Sequence, residues 1–289
     1  MRILVTGASG FIGRHVVKQL ADRGHKPLMF DRTGQVPGAR HPLFLGDVRD
    51  RNAVEQAAYS SEGVIHLAGI LGTQETVQNP FPAVETNILG SLNVFEACAQ
   101  HKRQGVCITV GNHWMNNPYS ISKSAVERFA LMYNKERGAK IAVVRGLNAY
   151  GPGQKAKPVR KIIPNFILPA LKGEPLVIYG DGEQRMDMIY VQNVAHILIE
   201  ALLRPHGQYS TVFEAGTGVA LTVNEIARMV IQLCESKSGI EHVRMRPGEE
   251  PGSTVVADRK TLLPLGVKCL TPLDAGLRPT IAYYRSHEA

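Results

Sequence analysis

Cysteine is scarce: the 289 residues hold four, Cys98, Cys107, Cys234 and Cys269, far apart and without a CxxC pair. That spacing excludes a zinc ribbon or a disulfide framework and predicts a reduced, cytoplasmic setting with no metal site. No apolar run approaches the roughly 20 residues of a membrane span, so no membrane partner is expected. The opening MRILVTGASG does not read as a signal peptide, because its short apolar run leads into glycines rather than a cleavage site. Aromatic residues are only 6%, and no nucleic-acid motif accompanies the basic residues, which argues against nucleic acid as a ligand. Repeats and low-complexity tracts are missing as well. The 44% hydrophobic and 20% charged residues are those of an ordinary globular chain, not a disordered one, a collagen or a coiled coil.

What is present begins with charge. Thirty-three Lys and Arg against 25 Asp and Glu give a formal +8, which favours anionic ligands. Phosphorylated small molecules fit that balance better than a polymer does.

The first half alternates short apolar runs with amphipathic stretches, the pattern of a parallel α/β sheet. Strands are expected at Arg2–Thr6, Lys26–Phe30, Leu43–Leu45, Gly63–Leu67, Val106–Val110 and Lys140–Arg145. Helices are expected at Phe11–Arg23, Arg51–Tyr59, Pro82–His101 and Ser120–Arg137, the third carrying Ile88, Leu92, Phe95 and Ala99 at helical spacing. Beyond Tyr150 the alternation loosens. Strands are expected there at Leu176–Ile178, Met188–Val191, Val212–Glu214 and His242–Met245, and helices at Val194–Leu203, Val223–Cys234 and Pro272–Arg285. This divides the chain into a doubly wound dinucleotide-binding domain, 1–150, and a smaller α/β substrate domain, 151–289, with a crossover back to the first left open.

Thr6-Gly7-Ala8-Ser9-Gly10-Phe11-Ile12-Gly13 follows the first strand and opens a helix. Gly7 permits a tight turn, Gly10 lets backbone approach a pyrophosphate, and Gly13 lets the helix pack close to the sheet. The phosphates would sit on the helix N-terminus, where free N–H groups and the dipole favour anions. Asp31 ends the second strand and would accept the adenosine ribose hydroxyls, favouring NAD over NADP. Arg32 beside it weakens that preference. Asp47 in Gly46-Asp47-Val48 either faces the adenine amino group or caps the helix starting near Arg51. Ser9, Phe11, Ile12 and Val48, with Leu67, Ala68 and Gly69 after the fourth strand, complete the expected cofactor wall. His66 reads as a structural histidine.

Tyr119 and Lys123 stand four apart at a helix start, on one face about a turn apart. An ammonium there stabilises phenolate and lowers the tyrosine pKa towards that of a useful base. The same lysine can hold a ribose hydroxyl.

TGASGFIG at 6–13, GDVRD at 46–50, HLAG at 66–69, PYSISK at 118–123 and GLNAYGPG at 146–153 together resemble the extended short-chain dehydrogenase/reductase family. More narrowly they resemble its NAD-dependent nucleotide-sugar epimerase/dehydratase branch, and the likeness continues through IYGDGEQRMDMIYVQNVA and RPGEEPGSTVVADRKTLLPLG. The resemblance implies a Rossmann domain holding NAD, a C-terminal domain holding a nucleoside diphosphate sugar, Tyr119 as base and Lys123 as its partner. It also implies Asn87 beside the cofactor, Asn148 and Arg246 at the sugar diphosphate, and a homodimer paired through the helices at 82–101 and 120–137. Asn148 can equally shape a turn, and Arg246 can equally make a surface ion pair.

Two departures from the family matter. Its serine or threonine helper falls near Gly111 or Asn112, neither a hydroxyl, so Thr109 or the Asn112 amide would orient the substrate. Its arginine before the aspartate is replaced by Met186, displacing Arg185 by one. From Cys107 to Tyr119 there is no Asp or Glu. Dehydratases and decarboxylases of the family carry acids in that stretch, so the expected reaction is 4-epimerisation through a transient 4-keto sugar, with a UDP-sugar favoured. A decarboxylase, a dehydrogenase/reductase or an inactive NAD-binding protein are the alternatives.

Overall fold

Seven short runs rich in branched aliphatic residues assemble into one wholly parallel sheet in the computed structural model, which describes residues 1–33, 41–204, 207 and 209–287. In chain order the first half runs β1 (Arg2–Thr6), α1 (Phe11–Asp22), β2 (Lys26–Asp31), β3 (Leu43–Leu45), α2 (Arg51–Tyr59) and β4 (Gly63–His66). It continues through α3 (Phe81–Ala83), a π-helical turn (Val84–Leu89), α4 (Gly90–Gln100), β5 (Gln104–Val110), α5 (Pro118–Arg137) and β6 (Lys140–Gly146). The second half holds β7 (Asn148–Tyr150), α6 (Ile162–Lys172), β8 (Leu176–Tyr179), β9 (Arg185–Tyr190), α7 (Val191–Leu203) and β10 (Val212–Ala215). Then come β11 (Ala220–Thr222), α8 (Val223–Cys234), β12 (Ile240–Val243), β13 (Thr254–Val255), a 3-10 segment (Arg259–Leu265) and α9 (Leu273–His287).

The large sheet has the order β10-β6-β5-β4-β1-β2-β3, so the winding reverses between β1 and β4. A crevice opens at such a switch point, beyond the strands' carboxyl ends. Both faces are covered, which is why the strands read as continuous apolar runs. α1 and α7 cover one face, with a core including Val16, Leu20, Ile65, Val144 and Leu198; α2, α4 and α5 cover the other, over Leu4, Val64, Phe95, Val126 and Ile141. A third core joins α6, α8 and α9 over β8 and β9.

The doubly wound sheet and its order of elements are those expected from the sequence. Residues 191–215 return to the first half: α7 packs on α1, and β10 extends the large sheet alongside β6. The helix read as Pro82–His101 is interrupted by the π-helical turn. The extra residue in that turn rotates the buried stripe, so Phe95 is buried with Val94, Ala97 and Cys98 whereas Ile88, Leu92 and Ala99 are only partly covered. The strand placed at His242–Met245 lies two residues earlier, where Ile240 registers with Leu176 and the Leu176 N–H donates to the Gly239 carbonyl. α6 was not expected at all, because Pro164 and Pro169 disguise it.

One buried carboxylate joins β9 to the large sheet. Asp187 on β9 is fully buried. It accepts from Thr217 N (2.8 Å), Thr217 Oγ1 (2.6 Å), Gly218 N (2.8 Å) and Ala257 N (3.1 Å), pinning the turn after β10 to the segment after β13. Replacing it leaves three backbone donors without their acceptor, the Ala257 N–H in a buried setting. Asp187→Ala is therefore expected to destabilise the protein by about 3–4 kcal/mol, read as a lowered urea midpoint.

Candidate functional site

The switch-point crevice is a continuous cleft of about 820 Å³ that runs from the β1–α1 turn, across the ends of β4, β5 and β6, to α6 and β8. Gly7, Ser9, Gly10, Phe11, Ile12 and Gly13 form one end. Gly7 sits at φ +69°, and a Cβ on it would lie 2.8 Å from Ala68 N. A Cβ on Gly13 would lie 2.2 Å from the Gly7 carbonyl. Gly10 caps α1 without a side-chain hydrogen bond, and no acidic residue stands in the first turn. The helix N-terminus thus presents bare N–H groups at the cleft, as a pyrophosphate requires.

Asp31 and Arg32 line the same end. Asp31 accepts from Ser9 N at 3.0 Å, from Ser9 Oγ, and from Arg32 N at 2.8 Å, so its carboxylate is aimed at the turn where an adenosine ribose would lie. Asp47 and Val48 line it too. Asp50, not Asp47, caps α2, accepting from Asn52 N and Ala53 N. Asp47 instead pairs with Arg49 at 2.8 Å, and the guanidinium holds its carboxyl below the usual range. Leu67, Ala68 and Gly69 form the floor. The glycine cradle, bare helix terminus and ribose-facing carboxylate fit NAD.

At the middle of the cleft stand Tyr119 and Lys123. Asn117 caps α5, accepting from Ser120 N at 2.9 Å, and Pro118 occupies the first turn, so Tyr119 enters the helix at its second residue. Lys123 Nζ donates to the Ile108 carbonyl at 3.2 Å and stands beside Gly69, where an added Cβ would lie 3.2 Å from it. Burial pushes Lys123 down to about 8. Burial also pushes the Tyr119 phenol up, opposite to the shift expected from a neighbouring ammonium alone.

Asn87 is not in the cleft wall. It is fully buried behind it, holding Ile70 from both sides: Oδ1 accepts from Ile70 N (2.7 Å), and Nδ2 donates to Ile70 O (3.1 Å) and Ser122 Oγ (2.9 Å). Its place on the π-helical turn turns the amide beneath the loop after β4, next to Gly69 of the cleft floor. It belongs to a longer chain of bonds. Leu67 N and Ala68 N donate to Thr6 Oγ1, whose hydroxyl donates to His66 Nδ1 at 2.7 Å. His66 Nε2 then donates to Ser91 Oγ at 2.9 Å, and Ser91 donates to the Asn87 carbonyl. Ser122 closes the path by donating to the Tyr119 carbonyl at 2.9 Å. Burial and the Lys123 charge hold His66 down at about 3, so it is neutral throughout and structural, as its sequence context suggests.

Thr109 lines the cleft, but its hydroxyl donates to Glu127 at 3.3 Å. That carboxylate is gripped by Arg145 Nε (2.9 Å) and NH2 (2.6 Å), and Arg145 also reaches Glu214 at 3.0 Å. A Cβ on Gly111 would meet Leu147 Cγ at 2.8 Å and Val255 Cγ1 at 2.9 Å, so no hydroxyl fits there. Asn112 faces the cleft with its amide bonded only weakly, to Met115 Sδ at 3.3 Å.

The far end is lined by Asn148, Arg185 and Arg246, joined by three residues the sequence did not single out: Glu75, Tyr179 and Glu249. Asn148 Nδ2 donates to the Asp187 carbonyl at 3.1 Å, and Arg185 NH1 to the Ala220 carbonyl at 3.2 Å. The Arg246 guanidinium lies 4.7 Å from the centre of the Tyr179 ring and is paired with Glu249. Arg160 donates to Tyr179 Oη at 2.6 Å, and its backbone N–H to Glu75 at 3.2 Å. Lys161 lines the cleft, where burial lowers its ammonium pKa and the charges of Glu75 and Glu249 oppose that shift. Glu75 lies in no local motif, and only the fold brings it here.

Residues 3–216 match the NAD dependent epimerase/dehydratase family. A UDP-N-acetyl-α-D-glucosaminuronate decarboxylase of Bacillus cytotoxicus is 28% identical over 99% of this chain and 98% of its own. A UDP-glucose 4-epimerase of Thermotoga maritima, solved with UDP-glucose, is 27% identical with a TM-score of 0.92 over 100% of both chains. A UDP-glucose 4-epimerase of Thermus thermophilus, solved with NAD, is 28% identical with a TM-score of 0.88 over 99% of this chain and 100% of that one.

The cradle makes a sharp contrast between two glycines. Gly13→Ala drives a methyl into the Gly7 carbonyl and is expected to weaken NAD binding at least about tenfold in a fluorescence titration, with a loss of about 2–3 kcal/mol in stability. Gly24→Ala, at φ +76° with nothing within 4 Å, is expected to cost about 1 kcal/mol and leave NAD binding unchanged.

Proposed function

The chain belongs to the NAD dependent epimerase/dehydratase family, and we propose that its reaction is epimerisation at carbon 4 of a nucleoside diphosphate sugar, with a UDP-sugar favoured. NAD-dependent modification of a nucleotide sugar is the chemistry common to its relatives, which include both epimerases and decarboxylases. The observation that carries the finer reading is the segment between β5 and Tyr119: it presents Tyr119 and Lys123 to the cleft without a carboxylate. Elimination of water needs an acid beside the base; epimerisation needs the base, its lysine and a hydride acceptor.

NAD, when bound, supplies a reversible acceptor for the hydride of carbon 4. Tyr119 takes the hydroxyl proton as the carbon–hydrogen electron pair leaves, giving a 4-keto sugar, and returns it to the oxygen after the ketone has turned its other face. Lys123, charged below about 8, stabilises the phenolate and holds the ribose. Asn112 is the group placed to orient the sugar hydroxyl, since Thr109 is committed to Glu127. Arg246 and Arg185 receive the diphosphate, with Asn148 beside them.

Lys161 favours a second reading. A cation in the cleft wall suits a sugar carboxylate, the substrate feature of a decarboxylase. A homodimer also fits: Phe81, Val84, Leu89 and Ile121 are exposed apolar side chains on the helices flanking the site. The unpaired cysteines, three of them buried, suit a reduced cytoplasmic setting.

Incubation with UDP- and TDP-hexoses and UDP-glucuronic acid, followed by NMR, is expected to yield a C4 epimer without net NADH, and Tyr119→Phe to abolish it. Released carbon dioxide or accumulating NADH would overturn the epimerase assignment. Lys123 carries a separate expectation. Its folded pKa of about 8 lies below the usual lysine value of 10.5, so the unfolded chain binds more protons between those values and stability rises with pH across that window. Below it the buried charge costs on the order of 3 kcal/mol. Lys123→Met is therefore expected to raise Tm at pH 7 by several degrees, to lose that gain near pH 10.5, and to abolish turnover.

A further inference from the structure

We propose that Leu147 and Val255 determine which sugar the cleft takes, selecting a hexose with a methyl group on carbon 5, a 6-deoxy sugar, over one with a hydroxymethyl or a carboxylate there; this rests on the reading of the cleft as a nucleotide-sugar site.

The topology sets the interval a sugar must span. Lys123 is bonded to Ile108 on β5 and stands beside Gly69 just after β4, with Tyr119 one turn before it on α5. Asn148 and Arg185 lie on β7 and β9, toward the diphosphate end. Leu147 and Val255 come between. Leu147 joins β6 to β7, its N–H donating to the Ala215 carbonyl at 3.1 Å, and Val255 on β13 registers with Met186, next to Arg185. Both line the cleft. A sugar with carbon 4 at Tyr119 and the diphosphate on carbon 1 therefore lays one edge of its ring on these two side chains.

That surface offers no hydrogen bond. A Cβ on Gly111 would lie 2.8 Å from Leu147 Cγ and 2.9 Å from Val255 Cγ1, so hydrocarbon fills the space that a hydroxyl-bearing residue at 111 would use. Among the described residues lining the cleft at 67–72, 108–123 and 146–149, Lys123 is the one charged side chain, and it is bonded to the Ile108 carbonyl. Thr109 donates to Glu127 and Asn148 to the Asp187 carbonyl. Asn112 and Thr86 also line the cleft and are left for the ring hydroxyls. Ser253 stands beyond Val255, where the Arg185 N–H donates to its carbonyl at 2.8 Å.

The two edges of a hexose differ in polarity. Carbons 2 and 3 both carry polar groups, whereas the carbon 5 edge carries carbon 6 alone, so the apolar wall suits that edge. A hydroxymethyl oxygen pressed on Leu147 and Val255 loses water without gaining a partner, and a carboxylate loses more. A methyl gains contact at no such cost.

The test compares UDP-6-deoxyglucose with UDP-glucose, UDP-N-acetylglucosamine and UDP-glucuronic acid on the NAD-loaded protein, with turnover followed by NMR. Affinities are measured by calorimetry on NAD-loaded Tyr119→Phe, so that turnover does not change the ligand. The 6-deoxy sugar is expected to bind about tenfold or more tighter than each of the others, with kcat/KM in the same order. Val255→Thr exchanges a methyl for a hydroxyl at a partly buried position and is expected to narrow the preference over UDP-glucose to about threefold or less. A Val255 that only supports the fold would shift all four sugars alike and leave that ratio unchanged; matching thermal unfolding checks that the variant is folded. Equal or tighter binding of any other sugar, or an unchanged ratio in Val255→Thr, overturns the selection, and turnover of any of them then leaves the epimerase reading standing. The expected order of affinity without turnover supports the selection and overturns the epimerase reading. Failure of all four to bind overturns both.

Discussion

Backbone passes unusually close to backbone where β1 turns into α1. The Gly7 carbonyl lies where a side chain of residue 13 would begin, and Gly7 itself presses on the peptide of Ala68. Close packing there brings the α1 N-terminus to the sheet edge, so that its unpaired N–H groups face the cleft rather than solvent. The second half of the chain is tied to the same helix: Arg14 donates to the Gly153 carbonyl at 2.9 Å, and His15 contacts the Pro152 carbonyl at 3.2 Å. The geometry of the far wall therefore inherits whatever spacing those glycines allow. This explains why a motif of three small residues can organise a cleft that ends at α6.

Both ends of the cleft carry mixed charge, Asp31 and Asp47 with Arg32 at one and Arg246, Lys161 and Arg185 with Glu75 and Glu249 at the other, whereas Tyr119 and Lys123 between them are desolvated. A buried lysine and a buried phenol both resist ionisation. Their burial is a destabilising arrangement kept for its chemistry, and the surrounding bonds compensate: the Arg145–Glu127–Glu214 cluster secures α5 from below, and Asn87 and Ser122 secure it from the side.

The first half of the fold was legible because its strands, β3 apart, are largely buried on both faces and each helix has a polar one, so composition switches at nearly every boundary. The glycine turn, Asp31 and the Tyr119–Lys123 pair were legible because their chemistry depends on local spacing. β7, β11 and β13, two or three residues each, carry too little pattern to be read. α6 was hidden by Pro164, in its first turn where the donor can be spared, and by Pro169, in its interior where proline removes an intrahelical bond. Glu127 and Glu214 meet Arg145 across 18 and 69 residues of sequence, and Glu75 meets Arg160 across 85, separations to which no local period points. Asn87 was read as a cofactor ligand because of its motif; its contacts with Ile70 and Ser122 depend on the phase of the helix that carries it.

That phase is set by the π-helical turn at Val84–Leu89, which accommodates one residue more than an α-helical turn would. Asn87 reaches the loop after β4 from within the turn, and Ser91 reaches His66 just beyond it. Deleting a single residue between them would swing α4 by about 100° and separate the two contacts. This stretch can therefore accept changes of side chain on its outer surface but no change of length. The segment between Thr109 and Tyr119 is only nine residues long and makes no such double attachment to the strands. It is the place where insertions and deletions can accumulate, and so where reaction type can diverge while cofactor geometry stays fixed.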